Sequence, residues 1–391
     1  MTGPLAGIRV IELAHIMAGP AAGLMLADMG ADVIKVEKPA GDDSRRMVPP
    51  TVNGESAAFL MMNRGKRSVR LDLKTPAGVA ALRHLIAGAD VVIENNRKGA
   101  MERLDLGYGT LAAENPGLVY LSISGFGRTG PYADRGGFDL IAQGMSGLMT
   151  ITGEGPGRDP VKCGAPVSDI TAGLLGAMGV SAALAARART GRGQMVDTSL
   201  FEAAITHTYW QSAIAFATGV APRAMGSAHP LSAPYQAFET ADGWITVGAA
   251  NQGNWERLVQ AIGAEDLAAD PRFASNPGRM EHRAALTEAL TAVFRTASSA
   301  TWLSRLDAAG LPAGPVNTVA DMHADPQALA RAMVVETEHP VAGPTRALGM
   351  PVKFSEPGPA PRPAPLLGEH TEAVLREAGL DAQTISDVLA R

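Results

Sequence analysis

The chain has a single cysteine, Cys163, among 391 residues. One thiol cannot close an intrachain disulfide, and a reducing, cytoplasmic compartment is the expectation. No Cys/His cluster has the spacing of a zinc site, so no metal is expected. Aromatic residues make up only 5%, and charged residues, at 19%, fall below the ~25% of ordinary globular chains. Basic runs are missing too. Lys+Arg 34 against Asp+Glu 39 leaves a formal net charge of -5, which argues against nucleic acid or a membrane surface as partner. The first residues lack a basic segment followed by an apolar one, so no export signal is expected. The most apolar stretch, residues 170–186, is shorter than the ~20 residues that span a bilayer and reads as a buried helix.

Glycine and proline, by contrast, are abundant. Gly 44 and Pro 27 make up about 18% of the chain, against roughly 12% in average proteins, which implies many turns and close backbone approaches. Hydrophobic residues at 46% suffice for a large core, and the length suggests two or three domains. The first hundred residues alternate apolar strand patterns at 8–13, 32–37, 68–73 and 90–94 with helical patterns at 19–29 and 77–87, and a further strand follows at 118–124. Repeated βαβ units imply an α/β fold with a parallel sheet covered by helices. Beyond residue 190 the rhythm changes. A long helical pattern covers 201–218, and Asp242-Gly243 between two short strand patterns signals a β-hairpin. Helical patterns follow at 254–262, 279–294 and 300–308, so 221–317 reads as a smaller α+β domain.

Gly125-Phe126-Gly127-Arg128-Thr129-Gly130 spells the dinucleotide fingerprint directly after a strand. That fingerprint requires the third glycine to lead into a helix facing the pyrophosphate. Here more loop sequence follows, and we read a glycine-rich loop without NAD.

Several short motifs, taken in order, carry a resemblance. They are Leu5-Ala6-Gly7-Ile8-Arg9-Val10-Ile11-Glu12-Leu13 with Ala18-Gly19-Pro20, Gly30-Ala31-Asp32-Val33-Ile34-Lys35-Val36-Glu37, Asn63-Arg64-Gly65-Lys66-Arg67-Ser68, Thr190-Gly191-Arg192-Gly193-Gln194 and Pro365-Leu366-Leu367-Gly368-Glu369-His370-Thr371. Together they resemble the class III CoA-transferases, also known as the CaiB/BaiF family, over nearly the whole chain. The resemblance implies a large Rossmann-like CoA-binding domain completed by both chain ends, a smaller domain, and two protomers interlocked as a homodimer. The expected division is 1–200 for the first part of the large domain, 201–220 for a linker helix, 221–317 for the small domain, 318–333 for a linker, and 334–391 to complete the large domain.

The same resemblance implies an aspartate nucleophile just after a Gly-x-Pro segment, which here is Asp169 after Gly164-Ala165-Pro166. By position alone Asp169 reads as a helix N-cap, and a helix N-terminus also keeps a carboxylate ionised. A carboxylate held against a thioester gains from effective molarity what it lacks in intrinsic nucleophilicity. It would form an aspartyl anhydride and then an aspartyl-CoA thioester, with backbone N–H groups of 124–130 and 226–228 as candidate oxyanion donors. CoA is expected to meet His15, Ala18, Lys38, Leu71, Lys74, Asn95 and Arg103, positions the resemblance supplies. Cys163 reads as a packing residue, and Asp139 as structural first, with support of the site residues as the alternative.

Within the family, racemases carry Gly-His-Asp where this chain has Gly137-Phe138-Asp139, so the second base for proton exchange is missing and a transferase is expected. A racemase or a non-catalytic acyl-CoA-binding protein is the alternative. Gly226-Ser227-Ala228-His229 with Pro234-Tyr235-Gln236-Ala237-Phe238 resembles the branch that uses succinyl-CoA to activate dicarboxylic acids. Arg45 and His229 are candidate cations for a distal carboxylate, with a surface arginine and a loop histidine as the plain alternative. The expected partners are acyl-CoA and a small carboxylic acid.

Overall fold

Near-continuous apolar runs on short strands give a sheet that is buried on both faces, and the chain builds its core around one. The computed structural model describes residues 2–356 and 358–389. Strands β1 (Arg9–Glu12), β2 (Asp32–Glu37), β3 (Arg67–Arg70), β4 (Val91–Glu94), β5 (Val119–Ser124) and β6 (Met195–Ser199) form a six-stranded sheet of order β3-β2-β1-β4-β5-β6. Every neighbouring pair is parallel. The period of two is visible in the packing. Val10, Val33, Val91 and Val119 join one hydrophobic cluster, whereas Ile11, Ile34, Val69, Val92 and Tyr120 join another.

Helix α1 (Ala18–Asp28) and the 24-residue helix α2 (Val167–Thr190) supply apolar residues to the first cluster. Gly173 allows the two helices to touch, since a Cβ there would lie 2.6 Å from Ala21 Cβ and 2.7 Å from Ala18 O. The expected helix at 170–186 is thus longer at both ends. Its 24 residues include an 18-residue stretch of mean hydropathy 1.5, the length and composition to cross a membrane, yet Ala172, Ala177, Val180 and Ala183 are buried in the core. Its other face leaves Ile170, Leu174 and Met178 exposed. The second cluster is closed by the helix Pro76–Ala87 and by Val374, Leu375 and Ile385 near the C-terminus.

The chain divides into two compact units: Met1–Leu148 with Cys163–His207 and Pro326–Arg391, and Met149–Lys162 with Thr208–Asp325. The sequence reading ran the large domain unbroken to residue 200. Residues 149–162 instead join the second unit, where the Ala224 and Gly226 N–H groups donate to the Thr150 and Gly153 carbonyls. In that unit β7 (Tyr235–Glu239), β8 (Trp244–Gly248) and β9 (Ala313–Pro315) form an antiparallel sheet of order β9-β8-β7. Its core gathers Phe238, Trp255, Phe273, Phe294 and Trp302. The helical pattern at 201–218 is not one helix: Leu200–Thr206 and Tyr209–Thr218 are separated at residues 207–208.

Candidate active site

In a parallel sheet, ligands gather beyond the carboxyl ends of the strands, where the strand order reverses. A cavity of 650 Å³ opens there, lined by residues that follow four of the strands. His15 comes after β1, Lys38 after β2, Leu71 and Lys74 after β3, and Asn96 after β4. Asn95, the expected contact, instead clamps the turn after β1: its Oδ1 accepts the His15 N–H at 3.0 Å and its Nδ2 donates to the His15 carbonyl at 2.9 Å. Ala18 is a buried residue at the start of α1, and Arg103 is exposed and is not among the cavity-lining residues.

The next residue of that turn, Ile16, has φ +68°, a left-handed conformation unusual for a β-branched side chain. Asp42 holds it there by accepting the Ile16 N–H at 3.2 Å. Asp42 was not singled out from the sequence, although Gly41-Asp42-Asp43-Ser44 has the pattern of a cap, and Asp42 Oδ1 does accept the Ser44 N–H. Beneath it lies a fully buried charge network. Lys35 Nζ meets Asp42 at 2.7 Å and Glu12 at 3.0 Å, and Lys66 Nζ meets the other Glu12 oxygen at 2.8 Å. Burial disfavours the charge on Lys35, but Glu12 and Asp42 outweigh it and its pKa is raised. For Lys66 burial wins, and its pKa is pushed down to about 8. His15, half-buried over this network, has its pKa lowered by desolvation against the opposing pull of Asp42 and Asp43.

Lys38, half exposed at the cavity wall, pairs with Asp43 at 2.8 Å. Arg45 has partners inside the fold. Its guanidinium fork closes on Glu37 at 2.7 and 2.8 Å, donates to the Pro365 carbonyl, and lies 3.5 Å over the Phe59 ring. A bidentate pair of this kind leaves no open fork for a substrate carboxylate. His229 belongs to the second unit. Its Nδ1 accepts the Leu231 N–H at 3.1 Å and its ring stacks on Tyr235 with centroids 5.1 Å apart.

Asp169 is not the helix cap that its position suggested. The helix begins earlier, with Pro166 at the N-cap position, and Asp169 lies within the first turn. The Ser168 N–H is taken by Asp139 Oδ1 at 2.9 Å, while Asp139 Oδ2 accepts Gln143 Nε2–H at 2.7 Å. Fully buried Gln143 in turn accepts the Cys163 N–H at 2.9 Å. No hydrogen bond or ion pair engages the Asp169 carboxylate among the described residues. Its pKa is pushed up to about 6, first by desolvation and then by the negative charge of Asp139. The dipole of the helix N-terminus, expected to favour the ionised form of Asp169, is thus opposed by burial and by Asp139.

The glycine-rich loop after β5 is held shut at its base, where a Cβ on Gly125 would lie 2.7 Å from Gly137 Cα. Two of the candidate oxyanion donors are already bonded: the Gly127 N–H donates to Ser124 Oγ and the Arg128 N–H to Asp197. In the second unit, the Gly226 and Ala228 N–H groups also donate to backbone carbonyls. Among the described residues no group of three or more His, Cys, Asp or Glu side chains is placed to hold a metal ion.

Comparison with known proteins places these residues in context. The family described as CoA-transferase family III matches residues 5–371. The chain is 42% identical over 382 residues to succinate–glutarate CoA-transferase of Agrobacterium fabrum, covering 96% of this chain and 95% of that one. It is 38% identical to succinyl-CoA:glutarate CoA-transferase of Mus musculus, covering 96% and 86% respectively. The crystal structure of a CaiB/BaiF family protein from Brucella suis superposes with a TM-score of 0.87 at 43% identity, covering 97% of this chain and 100% of that one.

Proposed function

The chain belongs to CoA-transferase family III, and from that premise we propose that it moves CoA from succinyl-CoA to a dicarboxylic acid of the glutarate class, with Asp169 as nucleophile. Enzymes named for succinate and glutarate at 42% and 38% identity support the substrate class. The observation that carries the mechanism is a carboxylate in the first turn of α2 that nothing in the described protein engages and whose pKa of about 6 leaves it roughly nine-tenths ionised at pH 7.

In the first step an Asp169 oxygen attacks the thioester carbonyl, the C–S bond breaks, and CoA leaves as thiolate. The product is a mixed anhydride. The thiolate then attacks the Asp169 carbonyl carbon, breaking the anhydride C–O bond and releasing succinate. An Asp169–CoA thioester remains. The acceptor carboxylate attacks that thioester, and the returned thiolate takes the acceptor acyl group, restoring Asp169. One thioester is lost and one gained, so no external energy source is needed. His15, Lys38, Leu71 and Lys74 are the residues of this reading that line the cavity for CoA.

An interlocked homodimer is part of the proposal. Tyr209, Trp210 and Phe216 on a helix with no buried residue, and Ile170, Leu174 and Met178 along α2, present more large apolar groups than a monomer would leave in water. The single thiol fits a reducing cytoplasm.

The test is turnover of succinyl-CoA with a panel of acids, followed by hydroxylamine trapping. Glutarate-class acids should be activated, and the peptide bearing Asp169 should gain the mass of a hydroxamate only when acyl-CoA is present. Full turnover by Asp169→Asn would end the nucleophile assignment.

A further inference from the structure

Asp139 opens the short helix Asp139–Met145, and both of its carboxylate oxygens are engaged. Through Ser168 N–H it is tied to the first turn of α2, and through Gln143 and the Cys163 N–H to the segment approaching that turn. The partners of Asp139 are an amide and a backbone N–H, neither of them a cation. An asparagine could accept the Ser168 N–H through its Oδ1, but its Nδ2 would meet Gln143 Nε2 donor to donor, so Asp139→Asn removes one hydrogen bond together with the charge and a charged variant is needed to separate the two.

We propose that Asp139 is a positioning residue whose negative charge, held beside Asp169, drives Asp169 into its acylated forms. This rests on Asp169 being the nucleophile, as proposed above. Free Asp169 carries a full negative charge, whereas the anhydride and the CoA thioester at the same carbon carry none. Repulsion from Asp139 therefore burdens the resting carboxylate and vanishes on acylation. The same repulsion makes the carboxylate a better nucleophile, because basicity and nucleophilicity rise together. Burial raises the Asp169 pKa most, and among the described residues Asp139 is the charged group that adds to it in the same direction. Among the described residues, the other ionisable groups on or beside the elements packed against α2 are turned to partners of their own: Glu202 to Ser199, Asp28 to Arg64, His207 to Thr171, Asp197 to the Arg128 N–H and Tyr120 to the Leu106 carbonyl.

The experiment compares Asp139→Asn with wild type across pH 4 to 8, using succinyl-CoA and the best acceptor from the panel. The expected result is a kcat lowered about 10-fold at pH 7.5, with the KM for succinyl-CoA unchanged. The acid limb of the pH profile should move down by about one unit, a shift that corresponds to a tenfold change in ionisation. The deficit should therefore shrink as the pH falls. Asp139→Glu, which restores the charge, should recover much of kcat and return the limb toward its wild-type position. An Asp139→Asn enzyme whose limb stays in place, or whose KM rises with kcat unchanged, overturns the proposal. If Asp139→Asn does not fold, Asp139→Ser, which keeps an acceptor without the charge, takes its place: an acid limb moved down by about one unit supports a role for the charge, and a limb that stays in place refutes it. Failure of the underlying mechanism is distinct, because Asp169 would then take up no hydroxylamine even in the wild-type protein.

Discussion

Replacing Gly173 by alanine tests whether the contact between α1 and α2 sets the position of Asp169, one helical turn away. The added Cβ would lie 2.6 Å from Ala21 Cβ, 2.7 Å from Ala18 O and 3.1 Å from Ala22 N. Carbon atoms prefer about 3.5–4.0 Å, so α2 must retreat by roughly 0.5–1 Å. Two of the three obstructing atoms are backbone atoms of a buried helix, which have no rotamer to escape into. Overpacking of this kind costs about 1–3 kcal/mol, and the better helix propensity of alanine returns about 1 kcal/mol. The net loss is thus about 0–2 kcal/mol, a fall in Tm of up to about 8 °C at roughly 2–4 °C per kcal/mol. Activity should suffer far more, because a 1 Å misplacement of a reacting group costs on the order of 100-fold. Gly109→Ala is the control. It lies in the helix Tyr108–Glu114, its Cβ would meet nothing within 4 Å, and it should raise Tm without altering kcat. Differential scanning fluorimetry and initial rates on both variants decide the matter. A Gly173→Ala enzyme with wild-type kcat and a Tm raised like that of the control would refute the argument.

Lys35→Met should be among the most damaging changes in the chain. It leaves the buried Asp42 carboxylate without its ion-pair partner and Glu12 with Lys66 alone, and breaking a buried pair costs about 3–5 kcal/mol, so soluble yield should collapse or the urea midpoint fall sharply. Acid should act on the same network. Burial pushes Asp42 up, but Lys35 and Ser44 hold its carboxyl well below the usual range, and Arg45 and Ser68 likewise lower Glu37. Below about pH 4 the unfolded chain binds more protons at these groups than the folded one does, so stability should fall steadily with pH in urea titrations. Asp169 has the opposite sign. Its raised pKa means the folded state holds the extra proton between about 4 and 6, so its contribution to stability declines as pH rises through that window. Asp169→Asn should therefore raise Tm at pH 7.5 and leave it unchanged at pH 4, and an equal shift at both pH values would count against the perturbed carboxylate.

Much of the large unit was legible because its signals are local. The apolar run of β2 and the alternation of strands with helices report burial and period, properties each segment carries within itself. The helix break at residues 207–208 was not legible, since the apolar pattern continues through it. The joining of residues 149–162 to the second unit was equally hidden, because it depends on hydrogen bonds to residues 224–226, about 70 positions away.

For the candidate site, residue order alone names the groups: an aspartate after Gly164-Ala165-Pro166, a lysine after β2, and residues such as His15 and Lys74 at the ends of other strands. For His15, Lys38 and Lys74 motif order suffices, because each strand end delivers its following residues to the same edge of the sheet; Asp169 follows no strand and is not among the residues lining the 650 Å³ cavity. Tertiary structure decided what those groups are free to do. It joined Arg45 to Glu37, clamped His15 with Asn95, and set Asp139 beside Asp169, pairings that span between 8 and 80 residues of chain. A side chain's charge follows from its identity. Its pKa, its partners and its freedom to react follow from desolvation and from the fields of neighbours that only folding brings near.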